Sequence, residues 1–154
     1  MVSITIHTHP VEHFVKMCRI IQQGVIKIAA EKNFENKVKK FLESVGVYAL
    51  GTPIQKMTTK PIGYYEKRWG NKMTSSGLPD MHIVIKGHSL EIELKAPNGK
   101  ASELQKHMIN QIQSSDCVGA VMYEHKKDIP IDGFRFYIHY EVFKETVMYY
   151  ADKP

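Results

Sequence analysis

The chain contains 154 residues, of which 43% are hydrophobic and 24% are charged, values typical of a single globular domain. They exclude a chain that is disordered, collagenous or coiled coil throughout, and no apolar run approaches the roughly 20 residues that span a bilayer. The net charge of +5 permits a polyanionic partner. The N-terminus lacks a leader pattern, and the two distant cysteines, Cys18 and Cys117, indicate reduced thiols, so we expect a cytoplasmic protein.

The first predicted elements are a short strand over residues 2–7 and a helix that begins at Pro10. Gly24 ends or bends this helix, whose apolar residues recur at helical spacing: Val11, Phe14, Cys18 and Ile21. A second helix is predicted between the cap Asn33 and the stop at Gly46. Its apolar face consists of Phe34, Val38, Phe41, Leu42 and Val45. Residues 47–50 then form a predicted short strand.

Residues 51–76, which we call the basic segment, hold most of the net charge. Five basic residues against one acid, Glu66, give this segment +4 of the chain's +5. The five are Lys56, Lys60, Lys67, Arg68 and Lys72. Its length and its proline, glycine, threonine and serine content predict a loop that is functional or mobile.

The predicted elements after the basic segment are two strands, a helix and two further strands. Residues 81–86 and 90–94 form a hairpin, Ser102 begins a helix, and residues 118–123 and 134–142 are strands. The pattern of residues 143–154 fits either a helix or a strand.

The hairpin places chemically interesting residues on one face. With a tight turn at Gly87-His88, we expect Asp80 to oppose Lys95 and His82 to oppose Glu93. Because side chains alternate along a strand, Asp80, Glu93 and Lys95 then share a face.

Two carboxylates beside a lysine suit a hard cation such as Mg²⁺, with the lysine available to neutralise charge on a phosphoryl group. The structural alternative is that acids and lysines simply alternate on a solvent-exposed strand face. Glu91 lies on the same face, but a lysine does not follow it at the spacing of Glu93 and Lys95, so Glu93 is the preferred acid.

The order and spacing of these residues resemble a known family. Gly77-x-Pro79-Asp80, a hairpin, Glu93-x-Lys95-Ala96-Pro97 and then Ser102-x-x-Gln105 resemble the PD-(D/E)xK nuclease superfamily, and more narrowly its VRR-NUC branch. The resemblance covers about residues 31–124 and includes Glu35, which matches an acid in the first helix of that family.

The resemblance implies a single α/β domain with a restriction-endonuclease-like αβββαβ core, a central mixed sheet flanked by helices. Residues 1–30 and 125–154 are then additions to that core. It also implies Mg²⁺- or Mn²⁺-dependent hydrolysis of phosphodiester bonds. By match, the metal ligands are Asp80, Glu93 and the Leu94 carbonyl, Lys95 is the catalytic lysine, and Glu35 and Gln105 are supporting site residues.

Stand-alone members of this branch are associated with Holliday-junction-like DNA, so the resemblance implies a structure-selective endonuclease for branched DNA. Aromatic and basic residues interleave in the basic segment, as expected for phosphate contact combined with base stacking. The predicted DNA contacts are Lys67, Arg68, Trp69 and Lys72. Alternatively, these aromatic residues only anchor a long loop to the body of the protein.

Two other functions stay open. One is a non-catalytic DNA-binding module on the same scaffold. The other is a zinc-dependent hydrolase that uses His7, His9 and His13. Because two symmetric cuts resolve a four-way junction, a homodimer is expected. The candidate interfaces are the N-terminal helix and residues 134–150.

Overall fold

The computed structural model describes residues 10–68 and 77–154. Within these residues, a six-stranded mixed sheet is combined with three helices, which confirms the predicted α/β class. In chain order the elements are α1 (Pro10–Ser44), β1 (Val47–Ala49), β2 (Gly63–Lys67), β3 (Met81–Ile85), β4 (His88–Lys95), α2 (Glu103–Gln113), β5 (Val118–Tyr123), β6 (Tyr137–His139) and α3 (Tyr140–Ala151). Short 3₁₀ turns at Ile54–Lys56 and Lys126–Asp128 lie in the connections.

The strands follow one another across the sheet in sequence order. β2, β3 and β4 are antiparallel neighbours, whereas β1 is parallel to β2, and β5 is parallel to both β4 and β6. α2 supplies the crossover connection that a parallel pair such as β4 and β5 requires. The β3–β4 hairpin therefore lies in the middle of the sheet, with α2 leading out of β4.

The helices cover both faces of the sheet. α2 covers one face, where Ile109 packs with Val121 and Tyr123. α1 and α3 cover the other face and share a core with β4 that includes Phe34, Val38, Leu42, Phe143, Val147, Leu90, Ile92 and Leu94. Because side chains alternate along a strand, Glu93 and its odd-numbered neighbours in β4 lie on the α2 side.

The structure contradicts the prediction of two N-terminal helices. α1 is a single helix of 35 residues that runs through both Gly24 and Asn33. A glycine in a helix interior costs only about 1 kcal/mol relative to alanine, and four good helix formers, Ala29, Ala30, Glu31 and Lys32, precede Asn33. Among the helices in the described part of the chain, none combines the length and the apolar character that a membrane crossing needs. The strand predicted for residues 2–7 lies outside the described residues.

Two other predicted elements are also corrected. The basic segment is not a plain loop, because it contains β2, whose backbone pairs with β3 over five residues. The strand predicted for residues 134–142 is reduced to β6, and α3 begins at Tyr140. Tyr140, Phe143 and Val147 are all buried at helical spacing, so packing of one helical face outweighs the alternating pattern before it.

Candidate active site

The turn that joins β3 to β4 differs from the predicted one. Lys86 and Gly87 both have positive φ, 46° and 83°. A two-residue hairpin turn of type I′ requires this conformation at both central positions, and glycine adopts it without strain. The turn predicted at Gly87-His88 therefore lies one residue earlier.

This change shifts the hairpin register by two residues. His82 pairs with Glu91 and not with Glu93, and continuing the same register by one residue puts Asp80 opposite Glu93 and not Lys95. Since a shift of two residues preserves the alternation of side chains, each residue keeps its predicted face. The corrected register brings the two predicted carboxylate ligands into direct opposition.

The backbone of the neighbouring strand fixes Asp80. Its Oδ2 accepts a hydrogen bond of 2.8 Å from the main-chain N–H of Leu94, and its carbonyl accepts one of 2.7 Å from the N–H of Arg68. These bonds hold the Asp80 carboxylate against β4, beside Glu93.

Glu93 is oriented by two donors from different elements. Lys95 Nζ donates to Glu93 Oε1 at 2.6 Å, and Gln105 Nε2 donates to the same oxygen. Gln105 is itself held by a capping box at the start of α2, in which its N–H donates to Ser102 Oγ and its Oε1 accepts from the Ser102 N–H. The structure therefore brings Asp80, Glu93, Lys95 and Gln105 together, as the motif predicts.

The two carboxylates destabilise each other's charged form. Glu93 is only 3% exposed, and burial together with the charge of Asp80 raises its pKa to about 7. Burial also raises the pKa of Asp80, with a smaller contribution from the charge of Glu35. Glu93 Oε2 is buried and accepts no hydrogen bond from any residue that the structure describes. The site thus contains a carboxylate oxygen that is shielded from water and for which the described part of the chain supplies no donor.

We expect this arrangement to affect stability in a pH-dependent way in the metal-free protein. Between pH 4.5 and about 7 the folded state retains the Glu93 proton that the unfolded state has lost, so stability falls as the pH rises. Relative to Glu93→Gln, the wild type should lose up to about 3 kcal/mol of unfolding free energy over this interval and little more above it. Urea unfolding of both proteins in EDTA across this range measures the effect, and a pH-independent difference would contradict it.

Glu35 is a second buried carboxylate, 2% exposed on α1. It accepts hydrogen bonds from Lys39 at 2.5 Å, from Lys32 at 3.1 Å and from Lys67 of β2. Burial raises the pKa of Glu35, but the combined hydrogen bonds from Lys39, Lys67 and Lys32 outweigh it and lower the pKa to about 2. Lys32 and Lys39 were not predicted as site residues, although residues three and four positions from Glu35 share its helix face.

Glu91 lies on the same face of β4 as Glu93, but both of its carboxylate oxygens have hydrogen-bond partners. Arg68 donates to both of its oxygens, at 2.6 Å and 3.2 Å, and His82 Nδ1 lies 2.5 Å from Oε1. Glu91 is therefore an ion-paired structural residue. The guanidinium of Arg68, predicted to contact DNA, faces a protein carboxylate 23 positions away in sequence.

Several predicted residues cannot be placed. Trp69 and Lys72 lie outside the described residues, as do His7 and His9 of the alternative zinc site, so these assignments stay predictions. Among the described side chains, those of residues 15–68 and 77–154, no group of three or more His, Cys, Asp or Glu is arranged to hold a metal ion. An ion between Asp80 and Glu93 would therefore need further oxygen ligands from the backbone, water or substrate.

Comparisons of the chain with protein-family models, with curated proteins and with solved structures found no match. The resemblance to the VRR-NUC branch thus rests on the motif residues of this chain alone.

Proposed function

We propose that the chain is a divalent-metal-dependent DNA endonuclease of VRR-NUC type, with a restriction-endonuclease-like core and a preference for branched DNA. The contrast between Glu91 and Glu93 carries this proposal. Both oxygens of Glu91 have cationic partners, as expected for a structural carboxylate, whereas Glu93 has one buried oxygen for which no described residue is a donor. A bound cation would satisfy that oxygen and relieve its repulsion with Asp80.

The donor set fits Mg²⁺ or Mn²⁺. Mg²⁺ in phosphoryl-transfer sites is typically bound by one or two carboxylates and completes its coordination with water and substrate phosphates, so Asp80 and Glu93 suffice as side-chain ligands. By its resemblance to the family, the Leu94 carbonyl would be the third protein oxygen. When bound, such an ion polarises the phosphate and lowers the pKa of a coordinated water.

Lys95 supplies the positive charge of the protein at this site. Its ammonium group lies 2.6 Å from Glu93 Oε1, on the face where the phosphate would bind. A cation held there stabilises negative charge that builds up on the phosphoryl oxygens and can orient the attacking water. Gln105 keeps the Glu93 carboxylate in place while this happens.

A basic groove beside Glu35 offers a path for the DNA backbone. A cavity of about 650 Å³ is lined by three lysines, two glutamates and two uncharged residues: Lys27, Lys32, Lys67, Glu31, Glu35, Gly24 and Ile28. Glu35 is close enough to Asp80 to affect its pKa, so the groove adjoins the carboxylate site. Lysines along such a groove bind phosphates without reading sequence, which suits recognition of DNA structure.

We expect the double substitution Lys27→Ala and Lys32→Ala to weaken DNA binding at all sequences. The slope of log affinity against log salt should decrease by roughly one unit for each phosphate that the variant no longer binds. Lys32 also donates to Glu35, as Lys67 does, so the single substitution Lys27→Ala separates DNA binding from any change at Glu35. The single-turnover cleavage rate of Lys27→Ala at saturating DNA should be unchanged.

The matched control is the double substitution Lys40→Ala and Lys86→Ala, which removes the same charge from exposed positions outside the groove. Fluorescence anisotropy with labelled DNA at several salt concentrations measures both proteins. Equal salt slopes for the two double variants would place the DNA away from this groove.

A substrate panel tests the proposed function. Duplex, flap, single-stranded and four-way junction DNA are incubated with the protein in Mg²⁺, in Mn²⁺ or in EDTA. We expect cleavage with either metal, fastest on branched substrates, and none in EDTA. Tight binding without cleavage in either metal would favour the non-catalytic DNA-binding module instead.

A further inference from the structure

The N-terminal part of α1 carries large apolar side chains that the described body of the protomer leaves uncovered. Every side chain in residues 15–29 is exposed. The exposed apolar residues of this stretch include Val15, Met17, Ile20, Ile21, Val25, Ile26 and Ile28, with exposed fractions between 42% and 72%. Helical segments in proteins are stabilised mainly by packing of an apolar face, so such a segment needs a partner surface.

The sheet of the same protomer does not cover this stretch. Cys18, Ile21, Val25 and Ile28 form a line along α1 that we call the apolar stripe. The residues that pack α1 on the sheet, Phe34, Val38 and Leu42, point in a different direction. With 3.6 residues per turn, the two sets are separated by roughly 120° around the helix axis. All side chains of residues 15–29 are exposed, so the described body of the protomer leaves the apolar stripe open to a partner.

The spacing of the stripe identifies the kind of partner. Cys18, Ile21, Val25 and Ile28 recur at intervals of three and four residues, the a and d positions of a heptad repeat. In the sequence, the same repeat starts earlier, with Val11 and Phe14. The next a and d positions are Lys32 and Glu35, so the repeat ends where α1 reaches the body of the protein.

The charges of this stretch allow two identical helices to meet. Lys16, Arg19 and Lys27 occupy the outer f, b and c positions of the heptads. The flanking e and g positions between residues 15 and 29 hold Val15, Met17, Gln22, Gly24 and Ala29, which carry no charge. Like charges would therefore not oppose each other across a pair of identical stripes.

We propose that the apolar stripe pairs with the same stripe of a second copy of this chain, so that residues 15–29 form a two-helix coiled coil. This sharpens the expected homodimer to one interface and does not depend on the nuclease assignment. If that assignment holds, pairing also places two sites in one particle, as symmetric cleavage of a four-way junction requires. A membrane surface is the competing partner for an apolar helix with basic residues, and lipid binding is one of the outcomes that the test below distinguishes.

Adjacent isoleucines provide a matched test. Ile20 and Ile21 are both 60% exposed, but only Ile21 belongs to the apolar stripe. In sedimentation velocity of the full chain at micromolar concentration, we expect dimers for the wild type and for Ile20→Glu. Ile21→Glu should weaken dimerisation by roughly 30-fold or more. Since both side chains are exposed in the protomer, neither glutamate removes a contact within the protein body, and both variants should fold with the same helix content by circular dichroism.

The thiol of Cys18 provides a second readout. Cys18 is exposed in the protomer and lies in the stripe, so pairing should protect it from a maleimide. The labelling rate of Cys18, followed by mass spectrometry with Cys117 as internal reference, should decrease as the wild-type concentration rises and stay constant for Ile21→Glu. Three results would overturn the proposal: a monomeric wild type, equal effects of the two glutamates, or a monomer that binds anionic lipid vesicles through Ile21.

Discussion

Replacement of Asp80 by asparagine is expected to reduce the single-turnover rate of phosphodiester cleavage by roughly 1,000-fold or more. Asparagine retains the shape of the side chain and an oxygen that can accept the Leu94 N–H bond, but it removes one of the two charges that would hold the cation. The protein should therefore fold normally. Because loss of the charge removes the repulsion with Glu93, the metal-free variant should be at least as stable as the wild type.

The matched control for Asp80→Asn is Glu91→Gln. Glu91 lies two residues before Glu93 on the same face, but the guanidinium of Arg68 already donates to both of its oxygens. We expect its cleavage rate to stay within about tenfold of the wild type. Rapid gel analysis of a labelled four-way junction in Mg²⁺ compares the proteins. Wild-type rates for Asp80→Asn, or an equally large loss for Glu91→Gln, would contradict the assignment of the ligands.

Lys95→Ala is expected to lower the rate of cleavage while leaving the affinity for DNA almost unchanged. Because the ammonium group acts on charge that develops in the transition state, its loss should lower the single-turnover rate by about 100- to 1,000-fold. The dissociation constant for DNA should change by less than about threefold, since phosphates along a long duplex are contacted at many other positions. Anisotropy in Ca²⁺ measures the affinity without cleavage, and quench-flow in Mg²⁺ measures the rate.

Lys100→Ala is the control for Lys95→Ala, because it removes an exposed lysine five residues further along the chain. It should affect neither quantity. If Lys95→Ala instead lost affinity while its single-turnover rate held, the residue would anchor a phosphate and would not act in the chemical step.

The sequence predicts on which face of the hairpin each residue of the candidate site lies, but it does not predict which residues of β3 and β4 are opposite each other. Asp80, Glu93 and Lys95 fall on one face in both the predicted and the observed hairpin, because strand alternation survives a register error of two residues. The register error arises because Lys86 adopts a positive φ beside Gly87. Residues other than glycine rarely adopt a positive φ, so the sequence does not indicate a turn that begins at Lys86.

Long-range ion pairs were not predictable either. The sequence of the basic segment predicts a loop that contacts DNA, but Lys67 and Arg68 pair with Glu35 and Glu91, residues more than 20 positions away. Local charge shows where cations are abundant and does not show which carboxylate each one meets. By contrast, the contact of Gln105 follows from a local rule, since the capping box at Ser102 fixes the side chain that reaches Glu93.

Local sequence rules also do not predict the full length of α1. Glycine and asparagine at positions 24 and 33 are helix-stop signals in many contexts, and here the helix continues through both. On one continuous helix, the residues that pack on the sheet lie on average roughly 120° around the axis from the apolar stripe. The apolar stripe is visible in the sequence, but its separation from the core-facing residues requires the structure.

Direct measurement of Mn²⁺ binding tests the central claim that Asp80 and Glu93 form a divalent cation site. Electron paramagnetic resonance of free Mn²⁺, titrated with the DNA-free protein, reports binding without any requirement for cleavage. We predict that the wild type removes free Mn²⁺ from solution, that Mg²⁺ competes for the same site, and that Asp80→Asn and Glu93→Gln each abolish this binding. Equal Mn²⁺ binding by the wild type and both variants, or no binding by the wild type, would contradict the account.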